Sequence, residues 1–175
     1  MKKSLLTLMV SALFISGMVQ AEDLSATMNI SGVLKPAQYN CAVKLSESSV
    51  SILEKSDTLI KQGDKATAPT LIHVTMEGDA KCSEFVNEGK IAYLFQGTAD
   101  NANGTALANA LTDASAAKGV AFGVFDEQNQ PLALNKDRVI AKTDTVFGLQ
   151  MVQLIDQEAV AGNINSTLTV QIERL

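Results

Sequence analysis

Leu24-Ser25-Ala26-Thr27-Met28-Asn29-Ile30-Ser31 alternates apolar and polar side chains without a break. In an extended chain successive side chains point to opposite faces, so Leu24, Ala26, Met28 and Ile30 share one side. The stretch reads as a strand with one buried face. The same period of two returns at Val43 and Leu45, at Val50 and Ile52, and at Ile72, Val74 and Met76. It returns again at Val120, Phe122 and Val124, and at Leu168, Val170 and Ile172 near the C-terminus. Ile91-Ala92-Tyr93-Leu94-Phe95 is almost wholly apolar, the pattern of a central strand covered on both faces. Val146-Phe147-Gly148-Leu149-Gln150-Met151 reads as one more strand, and Asp126-Glu127-Gln128-Asn129-Gln130-Pro131 as a turn. Strands at such intervals, divided by polar or Gly-containing segments, predict one all-β sandwich domain. The segment 104–118 breaks the pattern. Ala106, Leu107, Ala110, Leu111 and Ala114 have helix-like spacing, and a short helix or a long surface loop fits there.

Residues 1–21 stand apart from that domain. Lys2 and Lys3 precede a mostly apolar run from Leu5 to Val19, and Val19-Gln20-Ala21 places small residues around a cleavage point. This is the layout of a secretory signal peptide, and no basic stop-transfer cluster follows. Export with removal of residues 1–21 is therefore expected, with no membrane insertion afterwards. An uncleaved membrane anchor is the alternative. Losing Lys2 and Lys3 takes the 14 basic residues to 12 against 19 acidic ones, a net charge near −7. With no basic stripe, nucleic-acid or anionic-lipid binding is not expected. The acidic balance bears on solubility rather than on fold.

Two cysteines, Cys41 and Cys82, most simply form one disulfide in an exported chain, the alternative being two buried free thiols. In the chain-entropy account, closing a loop of about 40 residues stabilises the fold by roughly 4 kcal/mol. No CxxC spacing occurs and His73 is the single histidine, so no metal site is expected. His73 sits between Ile72 and Val74, which places it on the solvent side of a strand rather than beside a nucleophile. The glycines are scattered and form no phosphate-binding loop. No catalytic residue, cofactor or enzymatic activity is expected.

Two features remain. The clean alternation of residues 24–31 lies upstream of Cys41, where a bland tail would be polar and irregular. The last strand runs almost to the C-terminus, so any strand beside it comes from elsewhere in the sequence or from another chain. Alternation alone does not say whose groove residues 24–31 fill. They suit the first strand of a complete sandwich as well.

Several pieces in order resemble the chaperone–usher fimbrial subunits, the family of the type 1 fimbrial major pilins. They are Ile30-Ser31-Gly32-Val33-Leu34, Cys41-Ala42-Val43, the second cysteine about 40 residues on, and Tyr93-Leu94-Phe95-Gln96-Gly97-Thr98-Ala99. Gly119-Val120-Ala121-Phe122-Gly123-Val124-Phe125-Asp126 and the run from Ala161-Gly162 to Ile172 complete the series. The resemblance covers essentially the whole chain after residue 21. It implies an incomplete immunoglobulin-like β-sandwich of six strands, its seventh supplied by another polypeptide. It divides the chain into a signal peptide (1–21), an N-terminal donor-strand extension (22–34) and a pilin domain (35–175).

The resemblance also implies a mode of action and partners. A periplasmic fimbrial chaperone fills the groove beside the C-terminal strand. At an outer-membrane usher, the extension of the next subunit replaces the chaperone strand, so copies of this chain or related pilins join into a cell-surface fimbrium that contributes to adhesion. Carried onto this sequence, residues 23–31 are the donor strand, with Leu24, Ala26, Met28 and Ile30 inward. Leu168, Val170 and Ile172 border the groove and meet the chaperone. The sequence departs from the family where an inward glycine is matched by Ala26 and a penultimate aromatic by Ile172, with Glu173-Arg174-Leu175 continuing past it. A minor adaptor or terminator subunit of the same system is an alternative. So is a free secreted β-sandwich that binds a ligand.

Overall fold

The computed structural model describes Met28, residues 31–34 and residues 40–175. The chain divides into two compact units, Met1–Pro36 and Ala37–Leu175. In the first unit Met28, Val33 and Leu34 have exposed side chains. Residues 1–21, expected to be a signal peptide, and the expected donor residues Leu24, Ala26 and Ile30 lie outside the described residues. Every element below belongs to the second unit.

Six strands of five residues or more carry the architecture: β1 (Cys41–Leu45), β3 (Thr70–Gly78), β4 (Ile91–Gln96), β6 (Val120–Phe125), β9 (Thr145–Gln153) and β10 (Thr169–Arg174). Four short ones join them: β2 (Ile60–Lys61), β5 (Leu107–Ala108), β7 (Pro131–Leu132) and β8 (Arg138–Ile140). The larger sheet has the order β1-β3-β9-β6-β5, with β2 added to β9 and β7 to β6; the smaller is β10-β4-β8. All pairings are antiparallel except β2 with β9.

Period-two alternation sets the register. Ile72 and Val74 from the larger sheet meet Ile91, Tyr93 and Phe95 from the smaller one in the main core, together with Phe147, Leu149 and Val124. The Phe95 and Phe147 rings lie 4.9 Å apart between centroids, tilted at 56°. In the smaller sheet Ile172 pairs with Tyr93 and Val170 with Phe95, which points both β10 residues inward. β4 is buried on both faces, as its unbroken apolar run requires.

A second, smaller core of Ala66, Ala106, Ala121, Phe125, Val152 and Leu154 adjoins it. Ala106 belongs to this core and the next residue, Leu107, to the main one. That opposition is strand behaviour. No helix forms within residues 104–118, which run as a loop interrupted by β5.

One helix, α1 (Ala80–Asn87), interrupts the β pattern between β3 and β4. Asp79 caps it by accepting the Cys82 N–H at 2.8 Å. Gly89 closes it with φ +66°, a conformation that costs glycine nothing. Cys82, on its first turn, forms the disulfide with Cys41 of β1, the Cα atoms 5.6 Å apart.

Candidate functional site

A sandwich of this kind exposes backbone wherever a strand has a neighbour on one side only. Among the described residues β10 is hydrogen-bonded to β4 alone and β1 to β3 alone. Between the segment that follows β1 and the segment that precedes β10 opens a cleft of about 540 Å³. Leu45 and residues 47–52 line one side and residues 164–168 the other, over a floor of Ile72, Leu107, Phe122, Phe147 and Leu149. A second hollow of about 250 Å³ continues it, sharing Ile52 and Ile164 and adding Leu53, Leu59, Val120 and Val160.

The burial of the lining residues is uneven in an informative way. Ile72, Leu107 and Phe147 are buried, but Leu45, Val50, Ile52, Phe122 and Leu168 are only half-buried while packing on the same core. These apolar side chains therefore keep part of their surface in water beside an open strand edge. Covering it would be favourable by about 25 cal/mol per Å². The cleft thus has an apolar floor for side chains and ends beside β10, one edge of which has no strand partner among the described residues.

The two borders are held differently. Residues 160–166 are laced to the loop that precedes β6. Val160 and Lys118 exchange backbone hydrogen bonds, Asn163 N donates to Ser115 O at 2.7 Å, and Ala110 N donates to Asn165 O at 2.8 Å. The Asn109 side chain adds to this, its Oδ1 accepting Asn165 N at 3.0 Å and its Nδ2 donating to Asn163 O at 2.9 Å. Gly162 is needed here, because a Cβ would come within 2.6 Å of both Ala117 N and Ser115 O.

The opposite border is tied at its ends. Ser46 N donates to His73 O at 2.9 Å, and His73 N donates to Ser46 Oγ at 3.1 Å. Glu54 Oε1 accepts Met151 N at 3.2 Å. Burial pushes the Glu54 carboxyl above its ordinary value, and the Met151 amide and Gln150 side chain oppose that push.

The residues singled out from sequence fall as follows. Cys41 and Cys82 are bonded. Leu168 lines the cleft, and Val170 and Ile172 sit half-buried on β10 against the core. The tail Glu173-Arg174-Leu175 prolongs β10, with Glu173 paired to Arg138 of β8 and Leu175 N donating to Lys90 O at 2.9 Å. His73 is on the solvent side of β3, its Nδ1 2.9 Å from Asp144 Oδ2. Sequence reasoning missed Leu45, Phe122 and Ile164 as lining residues and Glu54 as a tether. The alternation of Val50 and Ile52 signalled half-burial. Nothing signalled Glu54, whose acceptor role depends on a gap in strand pairing far away in sequence.

A sequence model of the fimbrial protein family matches residues 26–173. The chain belongs to that family. The fimbrial protein's fold is similar to the crystal structure of the P pilus rod subunit PapA, with a TM-score of 0.51 and 12% identity over 86% of this chain and 100% of that one. A Burkholderia pseudomallei antigen and type I fimbria protein also aligns, with a TM-score of 0.39 and 15% identity over 78% of this chain and 95% of that one. None of the curated proteins matches the sequence. Among the described residues no helix is long and apolar enough to cross a membrane, and no group of three or more His, Cys, Asp or Glu gathers as metal ligands would.

Proposed function

We propose that this fimbrial protein is a structural, non-catalytic subunit of a cell-surface fibre that polymerises by donor-strand exchange and contributes to adhesion. The observation that carries the reading is the cleft of about 540 Å³ between Leu45 with residues 47–52 and residues 164–168, floored by core side chains and ending at Leu168, the residue before β10, whose one edge has no strand partner among the described residues. A strand laid there gains backbone hydrogen bonds from the edge and burial of alternate side chains on the floor. The alternating residues 23–31 supply such a strand, Leu24, Ala26, Met28 and Ile30 entering the cleft of another copy or a related pilin.

Leu168, Val170 and Ile172 form the border that a periplasmic chaperone covers until an outer-membrane usher passes the subunit into the fibre outside the cell. Each of the larger donor side chains contributes about 1.5–3 kcal/mol on full burial. Together with the new backbone pairs this approaches the stability of a whole domain, about 5–15 kcal/mol.

Deleting residues 22–31 tests this reading. The truncated subunit should fold and bind the chaperone through its intact cleft, but, with no strand to give to a preceding subunit, should not extend a fibre. Normal fibre lengths from the truncated chain alone would refute the role given to the extension.

A further inference from the structure

β9 changes partners along one edge. Residues 145–149 pair there with β3, and residues 152–153 with β2. Met151 falls in the interval, on an edge where neither neighbour supplies a backbone acceptor, and its N–H is taken by the Glu54 carboxylate at 3.2 Å. Glu54 thus fills a missing rung of the sheet with a side chain. It also lies just past the border formed by Leu45 and residues 47–52, which carries Val50 and Ile52 along the cleft. Among the described residues, no hydrogen bond joins residues 47–53 to the rest of the protein. The tie at Ser46 and the tie at Glu54 bracket that span.

We infer that Glu54 is a positioning residue, a tether that holds the 47–53 strap against β9 and thereby sets how readily the cleft admits a strand. The inference rests on the strand-accepting reading of the cleft for its consequence, and on the Glu54–Met151 contact for its mechanism. Val50 and Ile52 lie only half-buried on the core, so hydrophobic packing alone restrains the strap weakly. A carboxylate accepting a backbone N–H is a charge-assisted contact, stronger than a neutral one. Releasing it moves the next backbone tie from Glu54 to Ile60 of β2, which pairs with Val152, and so lengthens the loosely held strap. The opposite border has no such freedom, because its backbone is laced to residues 108–118.

The test uses the full chain as wild type, Glu54→Gln and Glu54→Ala, with a synthetic peptide of residues 23–34 as the probe. Backbone order parameters for residues 47–53 should fall below about 0.6 in Glu54→Ala and stay near wild type in Glu54→Gln, which keeps an acceptor oxygen. The Met151 amide should lose exchange protection in Glu54→Ala, and peptide capture should speed up by about tenfold, the factor matching loss of one such contact. Unchanged order parameters and Met151 protection in Glu54→Ala overturn the tether, whatever the peptide does. A loosened strap with an unchanged capture rate overturns its control of entry. A wild-type chain that never captures the peptide counts instead against the strand-accepting cleft.

Discussion

Asp79 and Cys82 are joined by a hydrogen bond of 2.8 Å from the cysteine amide to the aspartate Oδ1, so one residue is both helix cap acceptor's partner and disulfide anchor. The second carboxylate oxygen of Asp79 accepts Asn40 N at 3.1 Å, immediately before Cys41. Helix α1, the start of β1 and the disulfide are thereby fixed by one side chain. Asp79→Ala should lower the melting temperature by several degrees while leaving the disulfide formed, as thermal melting and thiol titration would show.

Reducing the disulfide should cost more. The Cys41–Cys82 link closes a loop spanning 41 positions, and its loss destabilises the domain by about 4 kcal/mol. Equilibrium denaturant unfolding of the Cys41→Ala/Cys82→Ala variant measures this directly.

Asp100 predicts an acid response. It is buried and accepts hydrogen bonds from Ala102 N, Asn103 N, Ala106 N and Gln62 Nε2. Burial pushes its carboxyl up, but the backbone N–H donors together hold it below the ordinary Asp value of 3.8. An acid depressed in the folded state contributes stability that is complete above its unfolded pKa and is lost as pH falls through its folded one. Asp100→Asn should therefore cost about 2–4 kcal/mol at neutral pH. The stability curves of variant and wild type should begin to converge as pH falls below about 4 and meet only below the depressed folded pKa.

Tyr93 predicts the opposite limb. Its hydroxyl is buried without a hydrogen-bond partner among the described residues, and burial followed by the nearby Asp144 charge raises its pKa to about 12. The neutral phenol is the form the fold accepts, so its contribution is full below the unfolded value near 10 and is lost as pH rises toward the folded one. Tyr93→Phe should match or exceed wild-type stability at pH 7 by up to about 1 kcal/mol. It should also flatten the loss of stability above pH 10, followed by circular dichroism.

If the cleft accepts a strand as proposed, folding and assembly can be separated by substitution. Leu168→Asp puts a charge on a half-buried lining residue, and should leave the β-sheet spectrum intact while abolishing peptide capture and fibre growth. Leu71→Asp, on an exposed position of β3, should leave both unchanged. Loss of capture in both variants would show that general damage, not the cleft, is being measured.

Much of the architecture was legible because burial in a sheet imposes a period of two. The alternating runs at Ile72–Met76, Val120–Val124 and Val146–Met151 all lie within strands, and the apolar run 91–95 is the middle strand of its sheet. Val50 and Ile52 alternate equally well yet form no strand, since no neighbouring backbone pairs with them. Helix α1 escaped notice because it spans only 8 residues, although Asp79 and Gly89 bracket it as cap and stop. In the 104–118 segment, alanine's helix propensity lost to tertiary packing that sends Ala106 and Leu107 into different cores. The cleft itself was visible only through family resemblance, because a vacancy has no sequence pattern of its own.

The most direct test of the account is the structure of the assembled fibre by electron cryo-microscopy. It should show residues 23–31 of one subunit lying between residues 45–55 and the β10 edge of the next, with Leu24, Ala26, Met28 and Ile30 turned toward Phe122 and Leu149. Finding those residues in the cleft of their own subunit, with neighbouring subunits meeting elsewhere, would contradict it.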